Sequence, residues 1–274
     1  MGWQGTAVEM RGIRGIVFDL DGTLIRGDRP LASAIEIVAR LRQAGLRIVF
    51  CTQDTESEDT SIAARLNQIG FDADPEEIIS CGAVVVGYLL ANYSGMSVRL
   101  IGTELQRQLL SENGVTLANG AEVAHAVLIG LYPGFSANDL ETACRAIWNG
   151  AALLAIAHDR TFPTNEGLLP ATGALVRTIE HATRRRARIL GKPSVHMARS
   201  ALKRLALPPE ATLVIGDNVD VDVRMGKLAG CRTALVLSGC TSASDAARIP
   251  SRARPDVILA DVTRLPELLR LELV

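Results

Sequence analysis

Two aspartates two residues apart, Asp19 and Asp21, follow a short apolar run, Ile16-Val17-Phe18, that reads as a buried strand. Residues two apart on an extended chain face the same side, so both carboxylates can point into one crevice. Gly22 then lets the chain leave sharply, because it tolerates backbone angles that other residues do not. Acids this close repel each other and raise at least one pKa unless a cation or proton intervenes. Read alone, Asp-x-Asp-Gly is also an ordinary Asx-rich turn after a strand. Three more segments break the tie. Ile48-Val49-Phe50-Cys51-Thr52 is an apolar run ending in a hydroxyl, and Gly191-Lys192-Pro193 puts a lysine where a helix opens. Leu213-Val214-Ile215-Gly216 is a third apolar run, and Asp217-Asn218-Val219-Asp220-Val221-Asp222 follows it with repeated acids.

In this order the four segments resemble the motifs of the haloacid dehalogenase (HAD) superfamily of phosphohydrolases. The stretch Thr161-Phe162-Pro163-Thr164-Asn165-Glu166-Gly167-Leu168-Leu169-Pro170, together with Gly191-Lys192-Pro193 and Ala229-Gly230-Cys231, is similar to the NagD-like branch, subfamily IIA, with its type IIA cap. Each motif alone is weak, whereas the ordered set is specific and spans most of the chain. The resemblance implies an α/β fold: a parallel-sheet Rossmannoid core with an inserted α/β cap domain. It implies a Mg²⁺-dependent phosphatase acting on a small phosphorylated metabolite, such as a sugar phosphate or a nucleotide, through an aspartyl-phosphate.

Ester hydrolysis of that kind needs a nucleophile, charge neutralisation around the phosphoryl group and a proton donor for the leaving oxygen. By the resemblance Asp19 is the nucleophile. Asp21 protonates the leaving alcohol and then deprotonates the attacking water. The carboxylates of Asp19 and Asp217, with the backbone oxygen of Asp21, form an oxygen-only site suited to Mg²⁺. Asp222 is the acid that orients water on that metal. Lys192 bridges nucleophile and phosphate with a compact positive charge. Thr52 contacts a phosphate oxygen through its hydroxyl. Asp220 reads as a solvated acid at a helix start and stays outside the metal site.

The chain departs from the branch at the second motif. Thr-Asn-Asn or Thr-Asn-Thr is common there, and this sequence has Thr52-Gln53-Asp54-Thr55. Gln53 can still donate an amide hydrogen bond to substrate. Asp54 would repel a phosphate, so either it points away or it selects substrates that carry a cation. His158 and Arg160 follow a predicted strand of the cap, where they can contact the leaving group or form a solvated turn.

Competing chemistry is constrained by the same residues. A dehalogenase has no use for an acid at position 21. A phosphotransferase or phosphomutase on the same fold stays open. A non-catalytic binding protein on this fold usually lacks one of the key groups, and here none is missing.

Composition bounds the rest. The chain has 274 residues, 48% hydrophobic and 22% charged, enough for two lobes with buried cores. A net charge of -1 gives no reason to expect a nucleic-acid or anionic-membrane partner. Five cysteines without a Cys-x-x-Cys pair argue against a disulfide framework or a zinc site, and Cys51 and Cys144 read as small core residues. No apolar run approaches the roughly 20 residues of a membrane span, and no signal-peptide core is present, so the expectation is a cytoplasmic protein with a homodimer left open. Met1-Gly2-Trp3-Gln4-Gly5-Thr6 matches the loose N-myristoylation pattern, which chance supplies often. Arg184-Arg185-Arg186-Ala187-Arg188 reads as a solvated helix end whose cations suit the dipole.

The elements that must position these groups alternate between strand-like and helix-like runs. Strands are predicted at 16–18, 48–51, 98–101, 127–129, 153–156, 213–215, 234–237 and 257–259. They are apolar throughout, as when helices cover both faces of a parallel sheet. Ser136, with Asp139 three residues on, predicts a capping box for a helix burying Leu140, Cys144, Ile147 and Trp148. Pro193 suits a first helical turn, with Val195, Ala198, Leu202 and Leu205 on the buried stripe. The interval from Thr52 to Lys192 far exceeds one crossover, so a cap at 81–183 is expected to interrupt a core of 1–80 and 184–274.

Overall fold

A computed structural model describes residue 10 and residues 12–119, 123–164 and 167–271. The myristoylation-like stretch Met1–Thr6 and the pair Asn165-Glu166 lie outside the described residues. Two compact units emerge. The first comprises Met1–Thr52, Asp59–Ile79 and Pro193–Val274, and the second Gln53–Glu58 and Ser80–Lys192.

The first unit is built on a six-stranded sheet. Its order is Val257–Leu259, Arg232–Val236, Thr212–Gly216, Gly15–Asp19, Arg47–Thr52 and Ile78–Ser80. The first five strands of that order run parallel to one another. Gly15–Asp19 sits in the middle, with Phe18 opposite Ile215 on one side and Phe50 on the other. The chain steps from this strand to Arg47–Thr52 on one side and later returns to its other side with Thr212–Gly216. Such a reversal of strand order leaves a crevice beyond the C-terminal strand ends. Phe18, Phe50, Leu41 and Ile215 are fully buried, and each large side chain removed from water contributes roughly 1.5–3 kcal/mol.

The second unit has a four-stranded, all-parallel sheet in sequential order: Val98–Ile101, Ala126–Ile129, Ala152–Ala155 and Arg188–Ile189. Thr161–Thr164 and Gly167–Pro170 add an antiparallel hairpin that periodicity did not reveal. Helix starts are well marked. Ser136 Oγ accepts the Asp139 N–H at 3.2 Å while Asp139 accepts the Ser136 N–H at 2.8 Å, the expected capping box. Cys51 and Cys144 are buried as expected.

Four details differ from the sequence reading. Trp148 is 64% exposed although it was expected on the buried face. At about 100° per residue it lies roughly 90° from the centre of the Ala143–Cys144–Ile147 face, at its rim. The Val195–Leu205 helix buries Met197, Ala198, Ala201 and Leu205, leaving Val195 and Leu202 half-buried. Pro193 precedes the helix instead of opening it. Ser194 takes the cap by accepting the Met197 N–H, and Lys192 lies two residues before the cap and is 1% exposed. The basic run is a helix end only at its start. Arg184, in a left-handed conformation, is the C-cap of the Thr172–Thr183 helix, and Arg184–Arg186 are exposed as expected, whereas Arg186 pairs with Glu180 at 3.1 Å and Arg188 belongs to a strand. Glu180 also accepts the Ala187 N–H, so this buried carboxylate organises the exit of the chain.

Adjacent residues should therefore respond very differently. Ile147→Ala is expected to cost about 2–5 kcal/mol, and Trp148→Ala about 0.5 kcal/mol or less, in urea denaturation of the two variants. Equal losses would restore Trp148 to the core.

Candidate active site

The Gly15–Asp19 strand ends at Asp19 itself. Beyond it the Leu20 carbonyl gathers the N–H groups of Thr23, Leu24 and Ile25 at 3.2, 2.9 and 3.0 Å, curling the chain into a turn. Gly22 makes that turn at φ 86°. Strand alternation therefore stops before Asp21, whose exposed position is set by the turn and its bridge to Ile25. Thr23, fully buried, donates to Asp19 Oδ2 at 3.0 Å and fixes the carboxylate's orientation.

The neighbouring Thr212–Gly216 strand delivers Asp217 at its end, 7% exposed. Asn218 then starts a single π-type turn, Val219–Val223, in which Asp222 and Val223 donate backbone N–H to the Asn218 carbonyl. Such turns concentrate at functional sites. This one folds Asp222 back, 2% exposed, so that its Oδ2 accepts the Asn218 N–H at 3.2 Å. Asp220 faces solvent, as expected.

A third segment escaped the sequence reading. Ser238-Gly239-Cys240-Thr241 follows the Arg232–Val236 strand and closes over Asp217. Cys240 N–H donates to Asp217 Oδ2 at 2.6 Å, and Thr241 Oγ1 donates to the Asp217 carbonyl at 2.6 Å. Ser238 Oγ donates to the Gly22 carbonyl at 2.7 Å, tying this loop to the Asp-x-Asp-Gly turn. A run of small polar residues at the end of a fourth parallel strand was the available signal.

These loops bring together Asp19, Asp217 and Asp222, one carboxylate oxygen from each lying within 4.8 Å of the others. Thr52, 6% exposed, ends the strand beside Asp19. Glycine makes the approach possible. A Cβ at Gly22 or Gly239 would strike the Asp217 carboxylate, and one at Gly216 would strike Asp222. Oxygen-only donors converging beside these glycines fit a small hard cation such as Mg²⁺.

The other expected site residues lie in the second unit. Lys192 follows the Arg188–Ile189 strand, and its backbone is clasped by the Gln53 carboxamide. Lys192 N–H donates to Gln53 Oε1 at 2.8 Å, and Gln53 Nε2 lies 3.4 Å from the Lys192 carbonyl. Asp54 Oδ1 accepts the backbone N–H groups of Glu56 and Ser57 at 2.9 and 2.8 Å. One of its oxygens thus caps its own loop, a local explanation for the unexpected acid. His158 is half-buried and Arg160 exposed. Between them, Asp159 has its carboxyl pushed above the usual range by burial. The Gln53 amide, His158 and Lys192 pull it the other way.

A sequence model of the family described as "Haloacid dehalogenase-like hydrolase" matches residues 16–116, and a second HAD-hydrolase-like model matches residues 189–265. The chain is 30% identical over 232 residues to the 5'-nucleotidase YutF of Bacillus subtilis, covering 85% of this chain and 90% of that protein. It superposes on glycerol phosphate phosphatase from Mycobacterium tuberculosis in complex with magnesium with a TM-score of 0.81 and 30% identity, covering 93% of this chain and 77% of that one. Against NagD from E. coli the TM-score is 0.78 at 27% identity, with 91% and 97% covered.

The glycine cradle makes a direct prediction. Gly239→Ala, which sets a methyl group against the Asp217 carboxylate, should destabilise the protein by about 1–3 kcal/mol. The upward shift in melting temperature that excess Mg²⁺ gives the wild type should shrink in the variant. Gly87→Ala, on a helix where a Cβ meets nothing within 4 Å, should be neutral or mildly stabilising in the same melts.

Proposed function

The chain belongs to the haloacid dehalogenase-like hydrolases, in their NagD-like branch, and from that premise we propose a Mg²⁺-dependent phosphatase acting on small phosphorylated metabolites. The observation that carries the reading is the cluster of Asp19, Asp217 and Asp222 at the end of the central strand. Relatives named as a 5'-nucleotidase and a D-glycerol 3-phosphate phosphatase, and a magnesium complex of a glycerol phosphate phosphatase, support it. Asp19 and Asp217, with the backbone oxygen of Asp21 and with Asp222 alongside, would hold the cation. When bound it supplies positive charge that offsets both the carboxylates and the phosphoryl group.

The residues then divide the work. Asp19, one oxygen held by Thr23, attacks phosphorus as the ester P–O bond breaks, giving an aspartyl-phosphate. Asp21 gives its proton to the leaving alkoxide and becomes a carboxylate. A water molecule next attacks phosphorus, passing its proton to Asp21, and the acyl-phosphate P–O bond breaks to free Asp19 and inorganic phosphate. Lys192 balances phosphate charge, and the Thr52 hydroxyl donates to a phosphate oxygen. His158 and Arg160 are assigned to the leaving group. A cytoplasmic location is supported by the five free cysteines, and no described helix is long and apolar enough to cross a membrane.

The reading is tested by phosphate release across a panel of sugar phosphates, nucleoside monophosphates, glycerol phosphates and aryl phosphates, with an added alcohol acceptor exposing any phosphotransferase. Asp19→Asn should abolish release while circular dichroism stays unchanged. A tenth of wild-type turnover surviving in a clean preparation would remove Asp19 as nucleophile.

Activity should also require a divalent cation. Mg²⁺ is expected to restore the chelated enzyme and Ca²⁺ to inhibit it, because Ca²⁺ takes more ligands at longer distances. Full turnover in excess EDTA would sink the metal assignment.

A further inference from the structure

We propose that Gln53 is a positioning residue for Lys192, its carboxamide completing a strand ladder that the backbone leaves unfinished. The inference rests on the catalytic role proposed for Lys192.

The Arg188–Ile189 strand pairs with Ala152–Ala155, and the ladder runs on past its end. Leu190 N–H donates to the Ala155 carbonyl at 2.9 Å and Gly191 N–H to the Ile156 carbonyl at 3.0 Å. The Lys192 N–H finds the side-chain oxygen of Gln53 instead, at 2.8 Å, with Gln53 Nε2 3.4 Å from the Lys192 carbonyl. A primary amide offers the same donor and acceptor pair as a peptide group, so Gln53 acts as one more rung.

The contact with Lys192 sets the amide's orientation, because a flipped carboxamide would set NH₂ against the Lys192 N–H, and the Gln53 amide also favours the charged form of Asp159. Both the nitrogen and the oxygen of the carboxamide thus face the Lys192 backbone, which moves Gln53 from phosphate donor to support of Lys192.

Both ends of the device are anchored. Asp54 Oδ1 caps the following loop, the Asp54 carbonyl accepts the Gly82 N–H at 3.0 Å, and Thr55 Oγ1 accepts from Gln106 Nε2 at 2.8 Å. On the other side Gly191 has no room for a Cβ, which would meet the Ile156 carbonyl, Cys81 Sγ and Gln53 Oε1. A lysine 1% exposed needs polar partners held in place, and a rigid backbone is how they are held. Asp159 supplies negative charge beside it, and the neutral amide joins that acid to the Lys192 backbone without adding a second one.

The test pairs activity with a readout that needs none. Gln53→Met keeps the side-chain length and removes the amide. It should speed hydrogen exchange of the Lys192 amide by about tenfold or more, and lower kcat on p-nitrophenyl phosphate about tenfold, with an unchanged melting temperature. Gln53→Glu keeps an acceptor for the Lys192 N–H, so it should preserve exchange protection while losing kcat, because its carboxylate opposes Asp159. Wild-type kcat in Gln53→Met, or unchanged Lys192 exchange, would overturn the proposal. A wild-type protein that releases no phosphate from any substrate would instead overturn the functional reading, and the exchange data would still decide whether the clasp exists.

Discussion

Three carboxylate oxygens within 4.8 Å of one another are the constraint on which the first unit depends. At an effective dielectric of about 20, each ionised pair at that separation costs about 3–4 kcal/mol. Such a cluster survives only if the scaffold holds it and something offsets its charge. The scaffold's part is visible: Thr23 on Asp19, the Cys240 N–H on Asp217 and the Asn218 N–H on Asp222. Each donor fixes the direction in which the acid it touches points. A bound cation is the natural remaining term, because it is the largest local charge and reverses the sign of the problem.

The fold explains why the acids meet there. The first strand is flanked on its two sides by strands distant in sequence, and at this switch point the loops leaving adjacent strands diverge. Asp19 and Asp217 occupy the ends of neighbouring strands, while the π-type turn after Asp217 returns Asp222 to the same place. Gly22, Gly216 and Gly239 are the steric counterpart, each leaving space for a carboxylate where a methyl group would stand. The second unit solves a different problem, that of a buried lysine. It supports Lys192 by continuing a strand ladder and finishing it with a side-chain amide.

Much of the core was legible because fully buried parallel strands are apolar throughout and end in the residues that do chemistry. The strands at 16–18, 48–51, 213–215 and 257–259 all appear, within two residues of their expected limits. The capping box at Ser136 and Asp139 was equally legible, since it is a local pattern of side chain and backbone. Trp148 and the stripe of the Val195–Leu205 helix were not. Helical periodicity locates an apolar face to within one residue, and the packing partner decides which edge of that face is covered.

By itself the sequence determined the chemical inventory: acids at strand ends, a lysine before a proline, and glycines where the chain must turn or be approached. Those choices are local, because backbone freedom and side-chain type belong to single residues. Tertiary structure alone decided which groups meet. Nothing in the spacing of Gln53 and Lys192 foretells their clasp, or in Ser238-Gly239-Cys240-Thr241 that it would close over Asp217. Asp21 shows the limit within five residues, since strand alternation ends at Asp19 and hydrogen bonds to the Leu20 carbonyl set the path beyond it. Contacts between distant segments depend on strand order and register, and those are properties of the packed chain.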